Sequence, residues 1–304
     1  MKTKIESETK NGIIAKTESE IKTETEIFKT KTSPKKFFLL GSNIGHSLSP
    51  LIHTCIFDQL NLNATYNLLD TKISIGKLTR QDIKSLCLHA DGFNVTSPFK
   101  SAIVPFLDQD FTDFKSANTI KIIRESGLNG KNLTIQGFST DGQGFMLDAK
   151  RLDLDLSSVA VIGTGGAARA ICFALKQNNI SFDLVSQSQQ RISDLFIELY
   201  ANCPQQNTNL YLSEQFFNLI KNKKISYSLI INCSQNYLDL PNCYNLNYFQ
   251  DIFNQNKKTK ISSIGMLIYQ AVLSAQIFFD IQIDLKIFDF IKQKTEKEKN
   301  ILFN

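Results

Sequence analysis

A buried strand that runs straight into a glycine-rich turn leaves a chain few folds to choose from. Val159-Ala-Val-Ile-Gly163 is an apolar run of strand length, followed by Gly163-Thr164-Gly165-Gly166-Ala167-Ala168 and an apolar helical stretch. This G-x-G-x-x-A spacing lets backbone approach a pyrophosphate, and the following helix start offers free N–H groups and the positive end of its dipole. A tight βα turn with no ligand is the alternative. Further strands are expected at Phe182–Val185 and Leu229–Asn232. Strands separated by helical patterns imply a parallel sheet.

Upstream, Phe37-Phe-Leu-Leu-Gly41 and Ala64-Thr-Tyr-Asn-Leu-Leu predict two strands. Leu51, Ile52, Cys55, Ile56 and Leu60 predict a helix after Pro50. Helix and strand signals then alternate to residue 145, so a parallel or mixed α/β sheet is expected here too. After Gly265, the residues Met266, Leu267, Ala271, Val272, Ala275 and Phe278 share one helical face, and Lys292–Asn300 reads as a solvated helix end. Residues 1–36 are rich in Lys, Thr and Glu. With little apolar surface to bury, they are expected to form a disordered tail.

Bulk properties narrow the class. The 304 residues suffice for two domains, and 42% hydrophobic residues can fill their cores. No apolar run reaches membrane-span length, and no signal-peptide pattern opens the chain. The many Glu residues of the tail argue against a transit peptide. Six cysteines without a CxxC pair and only three histidines predict no structural metal, and scattered thiols suit a reducing cytoplasm. The net charge of +5 is interleaved rather than striped, so nucleic acid is not an expected partner.

Four further blocks carry polar groups at telling spacings. In Gly41-Ser-Asn-Ile-Gly-His46-Ser47-Leu-Ser49-Pro50, two hydroxyls two residues apart in an extended segment can face one small anion, with Pro50 suited to the next helix's first turn. An N-cap in a serine-rich turn is the plainer reading. In Gly92-Phe-Asn94-Val-Thr96-Ser-Pro98-Phe-Lys100, Asn94 and Thr96 share a strand face and Lys100 follows a proline turn. Thr140-Asp141-Gly-Gln-Gly144 sets a carboxylate on exposed, bendable backbone. Gly265-Met-Leu-Ile-Tyr-Gln270 begins a helix with an amide in its first turns.

Taken in order, these blocks with Ala117-Asn118-Thr119 and Gly163–Arg169 resemble the shikimate dehydrogenase family over about residues 37–290. The resemblance implies an N-terminal α/β substrate-binding domain (37–145) plus a Rossmann-like dinucleotide-binding domain (146–264), with a cleft between them, and C-terminal helices (265–304) returning to the first. It implies NADP-dependent, reversible reduction of 3-dehydroshikimate to shikimate by a monomer or homodimer in the cytoplasm. Lys100 and Asp141 correspond to the family's catalytic pair. Ser47, Ser49, Asn94, Thr96, Asn118 and Gln270 correspond to its other substrate contacts. The dinucleotide is expected against Gly163, Thr164, Gly165, Gly166, Ala167, Ser186, Gln187, Ser188, Arg191, Ile252 and Ser263, with no metal. Ser186-Gln187-Ser188 replaces the family's usual N-R-T, while Arg191 matches its second arginine. Asp251-Ile252-Phe-Asn254 resembles D-x-x-Y with asparagine for tyrosine, and the run from there to Gly265 is shorter than usual. That shortening motivates an alternative, a non-catalytic relative that binds a shikimate-like ligand with a weakened cofactor site; a quinate-type relative is a further alternative within the enzyme class. A folate-linked dehydrogenase of similar layout suits the Ser-x-Ser and N-V-T blocks less well.

Overall fold

The computed structural model describes residues 33–73, 77–112, 114–124, 133–201, 208–240, 242–247 and 261–302. The expected tail lies almost wholly outside them. From Lys35 onward the chain forms one compact unit built on two six-stranded sheets.

The first sheet contains β1 (Lys35–Gly41), β2 (Ala64–Asp70), β3 (Gly92–Val95), β4 (Gln109–Phe111), β5 (Thr119–Arg124) and β6 (Leu133–Phe138), in the order β2-β1-β3-β5-β6-β4. It is mixed: β1 pairs parallel with β2 and β3, whereas β5 runs antiparallel between β3 and β6. Helix α1 (Ser49–Gln59) joins β1 to β2, and α2 (Arg80–His89) joins β2 to β3. The cap of α2 is a reciprocal one, with the Thr79 hydroxyl accepting from the Asp82 amide and the Asp82 carboxylate accepting from the Thr79 amide.

Helix α3 (Asp141–Arg151) leads to the second sheet. Its strands are β7 (Val159–Ile162), β8 (Phe182–Ser186), β9 (Leu210–Leu212), β10 (Leu229–Asn232), β11 (Cys243–Asn245) and β12 (Ile261–Ser262). They are all parallel, in the order β12-β11-β10-β7-β8-β9. Strand order reverses at β7, between β8 and β10. In open α/β sheets the crevice beyond the strand ends at such a reversal is where ligands bind. Helices α4 (Gly166–Gln177), α5 (Gln189–Tyr200) and α6 (Ser213–Lys221) provide the crossovers.

The chain then returns. Helices α7 (Ile264–Phe279) and α8 (Ile287–Leu302) pack with β1 and α1 in a core that includes Phe37, Ile52, Ile56, Phe57, Val272, Phe278 and Ile291. Twelve of the 16 residues of α7 are buried, so it is apolar all round rather than striped. Met266 at its start belongs to the second sheet's core, as does Phe145 of α3. These two helices therefore touch both cores. A buried carboxylate also ties α3 to the second sheet: Asp148 accepts from the Tyr244 hydroxyl of β11 (2.7 Å) and from Arg151 of its own helix (2.7 and 2.9 Å).

Candidate active site

Lys100 and Asp141 lie 41 positions apart in sequence, yet the Lys100 Nζ stands 2.5 Å from Asp141 Oδ2. Their side chains are only 16% and 7% exposed, so both charges lie largely out of water and depend on each other. Lys100 follows the Thr96–Phe99 turn beyond β3, where the Phe99 amide donates to the Thr96 carbonyl and the Phe99 ring is fully buried. Asp141 is the first residue of α3, where the helix dipole favours a carboxylate. Sequence alone places Asp141 on exposed, bendable backbone. It is instead buried, because the flanking Gly142 and Gly144 let α3 press against α4 and α7 rather than bend the chain.

Behind the pair runs a buried polar network. The Asn118 Nδ2 lies 2.9 Å from Asp141 Oδ1, 2.8 Å from the Thr140 hydroxyl and 3.3 Å from Gln270 Oε1. Its Oδ1 accepts from the Thr140 amide at 2.7 Å. Asn94 in β3 places its Nδ2 3.0–3.1 Å from the Asn118 carbonyl and the hydroxyls of Thr119 and Ser274. The Tyr66 hydroxyl of β2 donates to Asn94 Oδ1 at 2.8 Å, which fixes which way that amide points. Ser274 completes the chain, donating to the Gln270 carbonyl at 2.8 Å. The sequence offers Thr119 and Thr140 only as members of their blocks and does not mark Tyr66 or Ser274. Ser274 had one available signal, since it follows Gln270 by four positions on the same helix face.

Beneath Asn94 sits an unusual histidine. His53 of α1 is fully buried and its ring stacks on Tyr66, centroids 4.0 Å apart at 4°. Neither of its nitrogens has a hydrogen-bond partner among the described residues. Burial pushes its pKa down to about 3, although the neighbouring Asn94 side chain works the other way. The ring is therefore neutral at physiological pH.

Ser47 and Ser49 do not lie in an extended segment. Ser47 is in the turn before α1, and Ser49 is the first residue of that helix. Their hydroxyls still converge, 3.2 Å apart, and the Ser49 amide donates to Ser47 Oγ. The Asp70 carboxylate at the end of β2 holds this turn by accepting from the amides of Asn43 and Ile44. The turn meets the Lys100 segment at Ser42, whose amide donates to the Ser97 carbonyl. It meets it again at Gly41, packed on the half-buried Thr96.

The second sheet delivers its glycine turn to the same place. Gly163 has φ of +116°, a conformation that costs glycine little and any other residue a good deal. A Cβ at Gly166 would lie 2.8 Å from the Lys100 Cβ and 2.7 Å from the Ser116 hydroxyl, so only glycine lets α4 begin against the lysine. A Cβ at Gly165 would meet nothing within 4 Å, leaving open space over the first amides of α4. Thr164 and Ala167 flank this opening, both half-buried. Cys233, just past β10, backs Gly163. Burial first, and then the charge of Asp141, hold its thiol well above the ordinary range.

At the end of β8, Ser186 is buried, Gln187 is exposed, and Ser188 caps α5 by accepting from the Arg191 amide. Arg191 is exposed in the first turn of α5. Asp183 sits within β8 and is engaged elsewhere, accepting from the Tyr227 hydroxyl (2.6 Å) and the Asn209 amide (2.7 Å). Among the described residues, no carboxylate is thus presented at the end of β8 to meet a ribose hydroxyl. Ser263, before α7, is buried with its hydroxyl unpartnered among the described residues. Ile252 lies outside the described residues, as does the whole of 251–260.

Residues 39–123 match the family model described as the shikimate dehydrogenase substrate binding domain. The shikimate dehydrogenase (NADP(+)) of Caldanaerobacter subterraneus subsp. tengcongensis is 34% identical over 157 residues, which cover 50% of this chain. The chain spans only 52% of that relative's length. The shikimate dehydrogenase (NADP(+)) of Caldicellulosiruptor bescii is 28% identical over 275 residues, covering 81% of this chain and 90% of the relative. Among solved structures, the shikimate 5-dehydrogenase of Thermus thermophilus, in complex with NADP(H) and shikimate, shares the fold. Its TM-score is 0.65 at 22% identity, over 86% of this chain and 99% of that one.

Proposed function

We propose that the chain catalyses NADP-dependent, reversible reduction of 3-dehydroshikimate to shikimate. The observation that carries this reading is the Lys100–Asp141 pair at 2.5 Å, with the glycine turn of the second sheet packed against the lysine stem. Fold alone would not license it. The relatives named as NADP-linked shikimate dehydrogenases and the neighbour solved with NADP(H) and shikimate support it. In this reading residues 37–145 form the substrate-binding domain, 146–264 the dinucleotide-binding domain and 265–304 the returning helices.

The residues fit a dinucleotide. The amides at the start of α4 are open to a pyrophosphate above Gly165, and Gly163, Thr164, Gly166 and Ala167 shape the turn. Ser186, Gln187, Ser188 and Arg191 hold the adenosine phosphate, which no carboxylate among the described residues at the end of β8 repels. By resemblance Ser263 and Ile252 are assigned to the nicotinamide, and the Ser263 hydroxyl is buried without a partner among the described residues. The dinucleotide, when bound, supplies the hydride.

The protein's own part is binding, orientation and the proton. Ser47 and Ser49 hold the substrate carboxylate. Thr96, Asn118 and Gln270 bind its ring hydroxyls. Asn94, whose Nδ2 is taken by three protein acceptors and whose Oδ1 already accepts from Tyr66, keeps one acceptor position for a substrate hydroxyl. The Lys100 ammonium lies where a developing alkoxide needs a proton, and in the reverse direction the neutral amine takes that proton back. Asp141 keeps the ammonium oriented and stabilises its charge.

The test mixes the full chain with NADPH and 3-dehydroshikimate and follows NADPH absorbance. Steady oxidation that requires both compounds is expected. Shikimate binding without any oxidation would overturn the reading in favour of a non-catalytic relative. Faster turnover of the quinate series than of the shikimate series would overturn the assigned substrate.

A further inference from the structure

Helices α3 and α4 cross at Gly142, where an added Cβ would come within 2.3 Å of the Ala170 carbonyl oxygen. Beside that crossing lies a cavity of about 490 Å³. Small-molecule sites span about 300–1,000 Å³. It shares no residue with the dinucleotide or substrate contacts described above. Phe114 and Phe173 form one wall, their rings tilted at 55° with centroids 4.2 Å apart, and Met146 extends it. Lys150, exposed and without an ion pair among the described residues, lines the same cavity, as does the amide of Gln177. Its neighbour Arg151 is already committed to Asp148. Aromatic faces beside one uncompensated ammonium select a flat ring carrying a single negative charge.

We propose that this cavity binds a small aromatic carboxylate, with its ring against Phe114, Phe173 and Met146 and its charge toward Lys150. Each wall leads to the catalytic pair. Helix α3 begins at Asp141, and α4 begins at Gly166 against the Lys100 side chain. The segment from Phe114 continues to Ala117, whose amide donates to the Lys100 carbonyl at 2.9 Å. A ligand that spreads α3 from α4 therefore shifts Asp141 relative to Lys100, and occupancy alters turnover. The binding claim stands apart from the dehydrogenase reading, and only the effect on turnover rests on it.

The experiment titrates 2-naphthoate, with neutral 2-naphthamide as control, into the full chain. The chain has no Trp, so naphthoate fluorescence is read against little background. The expected result is naphthoate binding tighter than about 1 mM that persists under saturating NADP⁺ and shikimate. Lys150→Glu should weaken naphthoate by about tenfold or more while leaving naphthamide within about twofold. Phe173→Ala should weaken both. Failure to bind, displacement by NADP⁺ or shikimate, or indifference to Lys150→Glu would each overturn the site. Confirmed binding with no change in 3-dehydroshikimate turnover would overturn the coupling to the catalytic pair. A chain that turns over no 3-dehydroshikimate but binds naphthoate in this pattern would leave the site standing and the dehydrogenase reading fallen.

Discussion

The two sides of the site are built on different principles. On the side of the first sheet, Asn94, Asn118, Thr119, Thr140 and Ser274 are all buried, and each is hydrogen-bonded to others of the group. On the side of the second sheet, the glycine turn offers mainly backbone, and the side chains beyond β8 include the exposed Gln187 and Arg191. A closed polar network holds a few atoms in one geometry and fails when any member is lost. An open turn presents amides placed by its glycines rather than by a polar side-chain network. The chain can therefore carry Ser186-Gln187-Ser188 at the end of β8 without disturbing the fold, whereas the buried network beside the first sheet has little such latitude.

The contrast can be broken first at Asn118. Asn118→Ala leaves the buried Thr140 amide without an acceptor and removes the donor between Asp141 and Gln270. A loss of about 3 kcal/mol in chemical denaturation is expected, together with a drop in kcat. A variant as stable as the parent would mean that the network is ornamental. The next effect is set by His53. Its folded pKa is pushed down to about 3, so below its ordinary value of 6.5 the unfolded chain binds the proton more readily. Stability therefore falls as pH drops through that window, and His53→Phe should reduce the loss between about pH 7 and pH 5 by about 2 kcal/mol. Denaturation curves at both pH values decide it, and equal acid sensitivity in the two proteins would contradict the assignment. The smallest effect belongs to the open side. Gln187→Arg adds a phosphate-seeking cation beyond β8 and should tighten NADPH by about 1 kcal/mol with NADH unchanged. Equal gains for both dinucleotides would remove the phosphate from this position.

Much of this plan was visible in the chain itself, for physical reasons that also mark its limits. Val159–Ile162 and Leu229–Asn232 are buried on both faces and read as continuous apolar runs, so the parallel sheet was legible. The edge strands Gln109–Phe111 and Leu210–Leu212 are three residues each and little buried, and left no such pattern. The blocks carrying Lys100 and Asp141 could be named from their types and order. Their immediate partners could not, because Asn94 meets Ser274 across 180 positions and no local spacing records that meeting. Strand β1 begins at Lys35, slightly earlier than the apolar run from Phe37 suggests, because pairing with β2 orders two exposed lysines as well. Asp141 reads as exposed in sequence for a related reason. Glycines beside a carboxylate signal a bend when neighbours are unknown, and here they signal helices in close contact.

The proposed reaction depends on Lys100 as the proton donor held by Asp141. It is tested most directly by steady-state kinetics of Lys100→Ala with NADPH and 3-dehydroshikimate, alongside equilibrium binding of shikimate. A fall in kcat of about 10² or more, with a much smaller change in shikimate affinity, is the expected result. Turnover near that of the parent would contradict it.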